Sequence, residues 1–151
     1  MATAEHVYAD PSALLRLYLH EPQSRAMATW RKRIAGPLAV TAHGRVEMIN
    51  GLALATHRGY LSATALAAAL AALDDDFEQG RYAPGDLLWR AVLKRAADLS
   101  RQQTPKLGTR SLEVLHVASA LELGMKRFVT FDERQGRLAA AAGLKVVVPG
   151  G

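Results

Sequence analysis

RFVTFDERQGRLAAAAGLKVVV, residues 127–148, reads as strand, helix, strand. RFVTF is a short apolar run fit for burial, ERQGRLAAAAG is a short helix ending at Gly143, and LKVVV is a β-branched run before Pro149. Apolar runs of this length, bounded by glycine and proline, suit strands. Strands that alternate with helices imply a parallel sheet covered on both faces, which is the α/β class.

Upstream the alternation recurs. HVYAD (6–10) is an extended segment that stops at Asp10-Pro11, where Asp suits a helix N-cap and Pro the first helical turn. That helix is expected through SALLRLYL. Glu21-Pro22 breaks it and starts a second, QSRAMATWRKRI, which ends at Gly36-Pro37. LAVTA (38–42) reads as a buried strand. RVEMINGLALATHRG follows as a helix with apolar residues at helical spacing (Val46, Ile49, Leu52, Leu54), closing at Gly59. Ser62 is expected to cap an alanine-rich helix whose solvated end is Asp74-Asp75-Asp76; acids there oppose the helix dipole and do not suggest a metal site. FEQGRYAP is a weak strand candidate. Gly85-Asp86 is expected to cap an amphipathic helix, LLWRAVLKRAADLSRQQ, that fades at Thr104-Pro105. LEVLHVASALELG (112–124) supplies the next helix, stopped by Gly124. Residues 1–151 show no repeat or linker and are expected to form one domain.

In open parallel sheets, ligands bind beyond the carboxyl ends of the strands, where strand order reverses. Asp10 and Asp132 each stand at a strand exit, where each also suits the N-cap of the next helix. If their strands are neighbours, both carboxylates enter one crevice and repel unless a cation lies between them. Glu47 and Glu113, each early in an otherwise apolar helix, could lean into the same crevice. An all-oxygen cluster suits magnesium or manganese rather than zinc. Neither HExxH nor GxxxxGKS occurs, which argues against a zinc protease or a P-loop enzyme. Glu113-Val-Leu-His116 matches the E-x-x-H of di-iron bundles, but those need two copies and there is one. His116, alone on an apolar helix face, reads as a satisfied core histidine.

Composition sets outer bounds. Half the residues are hydrophobic and there is no cysteine, so disulfides and thiolate metal sites are excluded. The longest apolar stretch, Leu61 to Leu73, is too short to span a bilayer, and the first residues lack a signal-peptide profile. A cytoplasmic protein with no membrane partner is expected. The net charge of +5 favours a polyanionic partner, although the clusters Arg31-Lys32-Arg33, Lys94-Arg95 and Lys126-Arg127 also fit solvated helix faces.

Together, ADPSALLRLYLHEP (9–22), VEMING (46–51), RSLEVLHVASALELG (110–124) and FVTFDERQGRLAAAAGLKVVV (128–148) resemble PIN-domain proteins, and more narrowly the VapC toxins of bacterial toxin–antitoxin pairs. The resemblance implies a three-layer α/β/α sandwich with a central parallel sheet. It also implies a Mg²⁺- or Mn²⁺-dependent endoribonuclease that cuts RNA (tRNA or rRNA) with metal-activated water, held in check by a cognate VapB-type antitoxin. Asp10 matches the family's first acid, Glu47 its second, and Asp132 the acid after the fourth strand. Glu113 falls where the family usually has Asp, one methylene longer. These four would be the catalytic, metal-holding residues. Ser12 and Thr130 match small hydroxyl positions that would orient carboxylates or a bound water, although both also fit plain turn chemistry. Arg16, one turn into the first helix, lies close enough to contact phosphate and bind RNA, and fits a surface role equally well. Self-association fits the family; the alanine-rich helix at 61–73 could face a copy of itself in a homodimer, or could as well be core.

Overall fold

The computed structural model describes residues 2–151. In chain order the elements are β1 (Ala2–Thr3), β2 (Val7–Ala9), α1 (Pro11–Leu15), α2 (Ser24–Lys32), β3 (Ile34–Ala35), β4 (Leu38–Val40), α3 (Ala42–His57), α4 (Ala63–Glu78), β5 (Tyr82–Pro84), α5 (Trp89–Leu107), α6 (Ser111–Glu122), β6 (Arg127–Val129), α7 (Glu133–Ala141) and β7 (Lys145–Val147).

All strand pairs are parallel. Tyr8 lies opposite Phe128 in the β2–β6 pair, Phe128 opposite Val146 in the β6–β7 pair, and Ala39 opposite Ala83 in the β4–β5 pair. β4 runs beside β2, which gives the order β5-β4-β2-β6-β7. The chain builds outward from β2 on one side through β4 and β5, then restarts on the other side at β6. Strand order therefore reverses between β2 and β6, the exits that Asp10 and Asp132 follow.

Alternation along each strand builds the two faces. Val7, Ala9 and Val129 point into a core made with Leu14 of α1, Met27 of α2, Met48 and Leu52 of α3, and Leu73 of α4. Tyr8 and Phe128 point the other way, into a core made with Val92 and Leu99 of α5, Val114 and Val117 of α6, and Leu138 of α7. Helices α1–α4 cover one face and α5–α7 the other. This is the expected α/β/α sandwich.

Several boundaries differ from the sequence reading, each for a local reason. The first helix ends at Leu15; Leu17 and Tyr18 then bond the carbonyls three residues back, so the chain tightens and turns. Ile34, read as helical, instead opens β3 and pairs with Ala2 in a short strand pair missed in the sequence. Thr41 and Ala42 leave the strand: Thr41 Oγ1 accepts the Gly44 N–H at 3.0 Å, an N-cap worth about 1 kcal/mol, so α3 begins earlier. Gly85-Asp86 does not cap α5, which starts at Trp89 and runs through Pro105 to Gly108, where φ is +66°. Proline there removes one helical hydrogen bond without stopping the helix.

The inward face of α3 also differs. Of Val46, Ile49, Leu52 and Leu54 only Leu52 is buried; the face is made by Gly44, Met48 and Leu52 instead. Gly51 lets α3 approach α1, since a Cβ there would meet Leu15 Cδ1 at 2.6 Å. The aspartate triple at the end of α4 is tied down: Asp75 and Asp76 pair with Arg81, Asp74 pairs with Arg45, and Tyr18 donates to Asp76. The alanine-rich helix α4 buries only Ala69 and Leu73 fully, leaving much of its alanine face exposed. No helix among the described residues is long and apolar enough to cross a membrane.

Candidate active site

A cleft of about 150 Å³ opens at the carboxyl end of the sheet, lined by Asp10, Ser12, Glu47, Leu112, Glu113, His116, Asp132 and Gln135. All four acids singled out in the sequence are in that lining, delivered by four separate segments. Asp10 and Asp132 arrive as N-caps of α1 and α7 at the strand-order switch; Glu47 and Glu113 lie early in α3 and α6. A larger depression, about 500 Å³, runs along α7 and β7 and shares Asp132, but its other walls include Thr130, Phe131, Ala140, Val146 and Val148. The small cleft is where the acids meet.

Asp10 is 5% exposed, and its carboxylate accepts from three donors. The Ser12 N–H donates to Oδ2 at 3.0 Å, the Ser12 hydroxyl donates to the same oxygen, and Gln135 Nε2 donates to Oδ1 at 2.9 Å. Asp132 accepts the Gln135 N–H at 3.0 Å, while its own N–H donates to Thr130 Oγ1 at 3.1 Å. Thr130 donates to Gln135 Oε1 at 2.8 Å. Ser12 thus touches an acid directly, whereas Thr130 acts through Gln135 and the Asp132 backbone.

The two glutamates are held by partners of their own. Glu113 Oε2 accepts the Arg110 N–H at 2.8 Å, closing the first turn of α6. Arg134 then forks onto it, Nη2 to Oε1 at 2.6 Å and Nε to Oε2 at 3.2 Å. That bonding holds the Arg134 guanidinium above the usual arginine pKa. Glu47 Oε2 accepts a hydrogen bond from His116 Nε2, and Tyr8 donates to His116 Nδ1 at 2.7 Å. His116 is buried, as expected, but one of its partners is an acid of the cleft.

His43 stacks on the far face of His116 with centroids 4.8 Å apart, and burial followed by the nearby His116 lowers its pKa to about 4. Its Nδ1 is buried without a partner. Arg16 is engaged locally: Nε donates to Gln23 at 3.2 Å, Nη1 donates to the Ser12 carbonyl, and the guanidinium lies 4.9 Å over the Phe131 ring.

The donor chemistry fits a hard divalent cation: four carboxylates share one small cleft with no thiolate among them. Their spacing is wider than a bound ion would require. Among the described residues no three His, Asp or Glu side chains come close enough to hold one metal between them. Glu113 gives both oxygens to Arg134, and Glu47 gives one oxygen to His116.

Sequence reasoning missed Gln135, Arg134 and Tyr8. Only Gln135 carried a signal, since Asp132-x-x-Gln135 is the spacing of a helix capping box. Its side chain turns instead to Asp10.

No family model matches the chain. A curated relative, Ribonuclease VapC46 of Mycobacterium tuberculosis, is 31% identical over 149 residues, covering 95% of this chain and 97% of the relative. The chain belongs to the VapC family. The VapC assignment agrees with the fold: the crystal structure of FitAcB from Neisseria gonorrhoeae superposes with a TM-score of 0.64 at 18% identity, covering 95% of this chain and 97% of that one. With its parallel strands and α/β/α layers, this is a PIN-type VapC sandwich.

Proposed function

We propose that this VapC protein is an endoribonuclease toxin that uses Mg²⁺ or Mn²⁺ to hydrolyse RNA phosphodiesters, leaving 5′-phosphate and 3′-hydroxyl ends. The observation that carries the reading is the convergence of Asp10, Glu47, Glu113 and Asp132 on one cleft at the strand-order switch. Carboxylates that line one small cleft repel one another unless a cation offsets their charge. Asp10 and Asp132 would be the principal ligands, with Glu47 and Glu113 completing the set directly or through water. A divalent ion bound there supplies an acidified water and offsets charge on the phosphate.

The chain's own residues do the rest. Ser12 and Gln135 hold the Asp10 carboxylate against rotation, and Thr130 holds Gln135. The surplus of basic residues would attract the RNA strand, with binding that weakens as salt rises. Arg16 is proposed to contact phosphate from its place over Phe131. The substrate would be tRNA or rRNA in the cytoplasm, and a VapB-type antitoxin would cover the cleft; a homodimer through the exposed face of α4 also belongs to this reading.

One observation favours a second reading. Glu113 is committed to Arg134 through both oxygens, which would weaken the site and leave a PIN-fold module that binds RNA or antitoxin with little cleavage. The test is to incubate purified protein with structured RNA and Mn²⁺, with and without chelator, beside Asp10→Ala and Glu113→Asp. Chelator-sensitive cutting lost in Asp10→Ala supports the nuclease. Chelator-resistant cutting, or full activity in Asp10→Ala, defeats it. A large gain in Glu113→Asp supports the weakened module.

A further inference from the structure

We propose that His116 and Tyr8 are positioning residues for Glu47, fixing its carboxylate in the acidic cleft through a hydrogen-bonded chain that runs from the sheet to α3. The proposal rests on the divalent-cation nuclease reading and assigns two residues that reading leaves out.

Direction of donation settles what the chain does. A carboxylate only accepts, so the hydrogen between Glu47 Oε2 and His116 Nε2 sits on the ring nitrogen. In that tautomer Nδ1 is the acceptor, so Tyr8 donates to it at 2.7 Å. A Tyr8 unable to donate would let the ring take its other tautomer, which would turn a lone pair toward the carboxylate.

The ring itself cannot turn. His43 stacks on it with an interplanar angle of 25°, and Tyr8 is stacked on Phe128 at 5.5 Å and 9°. Tyr8 and His116 are each 2% exposed, whereas the Glu47 side chain is 29% exposed. A part-exposed glutamate has several accessible rotamers, and a fixed donor selects among them. Oε2 is thereby committed, and among the described residues Oε1 has no protein partner. A histidine serving only to fill the core would be satisfied by backbone or another core group. Here the second partner is 69 positions away, on a different helix, in the acid cleft.

The test is Mn²⁺ affinity by calorimetry, with RNA cleavage alongside, for Tyr8→Phe and His116→Leu in the native and Glu47→Gln backgrounds. Partners that orient metal ligands typically change affinity about 10- to 100-fold, so His116→Leu should fall in that range and Tyr8→Phe, which loses only the tautomer lock, near its lower end. In the Glu47→Gln background each should cost less than about twofold, because the group they position is gone. Equal losses in both backgrounds would mark a merely structural role and overturn the proposal, as would Mn²⁺ binding within about twofold of native in both variants. If His116→Leu does not fold, Tyr8→Phe decides. A native protein that titrates Mn²⁺ like Asp10→Asn would sink the nuclease reading and this proposal together. Native binding and cutting that both variants retain would sink this proposal alone.

Discussion

Gln135 Nε2 donates to Asp10 Oδ1 at 2.9 Å across 125 positions of chain. The same residue's backbone N–H donates to Asp132 Oδ1 at 3.0 Å, so one neutral residue links the two acids at the strand-order switch. Gln135 is buried, and its remaining side-chain atom accepts from Thr130.

Gln135→Leu should therefore leave the buried Asp10 carboxylate and the Thr130 hydroxyl each short of a partner. An unsatisfied buried group costs about 1–3 kcal/mol, more when charged. Urea unfolding should show a loss in that range, partly recovered by Mn²⁺. A variant as stable as the native protein would mean that water replaces the amide at no cost.

Asp10→Asn separates chemistry from folding. Asn caps helices as well as Asp, and a flip of the Gln135 amide would let its oxygen accept from the new side chain. Melting temperature should change little while RNA cleavage drops on the order of a hundredfold or more, the scale of losing one electrostatic contact in an active site. Retained cleavage would remove Asp10 from the mechanism.

Arg134→Gln should strengthen Mn²⁺ binding. It frees Glu113 from the fork that draws it off, while the Arg110 N–H still holds one oxygen. The pair is part-exposed and screened by water, so the gain should be modest, a factor of roughly two to five in affinity. Weaker binding in Arg134→Gln, read by calorimetry, would show that Arg134 supports the site rather than competes for it.

His43 gives a pH signature. Its pKa is lowered from 6.5 to about 4 by burial and by His116, so the folded state disfavours the proton that the unfolded chain accepts. The stability it contributes is complete above pH 6.5 and is lost as pH falls toward 4. His43→Phe, which keeps the stack without titrating, should flatten the fall in melting temperature over that window. An unchanged pH profile would mean His43 is not the group responsible.

The strand–helix alternation was legible because short β-branched runs between glycines and prolines have few other uses, and the acids at strand exits followed from it. What was not legible depends on which distant residues meet. Val46 and Ile49 keep helical spacing with Leu52 yet face solvent, because Gly51 brings α3 against α1 along the line of Met48 and Leu52. Pro105 stays inside α5, a helix packed against α6, although the local sequence marks a stop there. The commitment of Glu47 to His116 and of Glu113 to Arg134 joins residues on different helices, and no local pattern encodes such pairs.

Anomalous diffraction from crystals soaked in Mn²⁺ tests the central claim most directly. The account predicts a peak within coordination distance of both Asp10 and Asp132, roughly 2.1 Å from their oxygens, with Glu47 still bonded to His116. A protein that cuts RNA in Mn²⁺ but holds the ion elsewhere, touching neither aspartate, would contradict it.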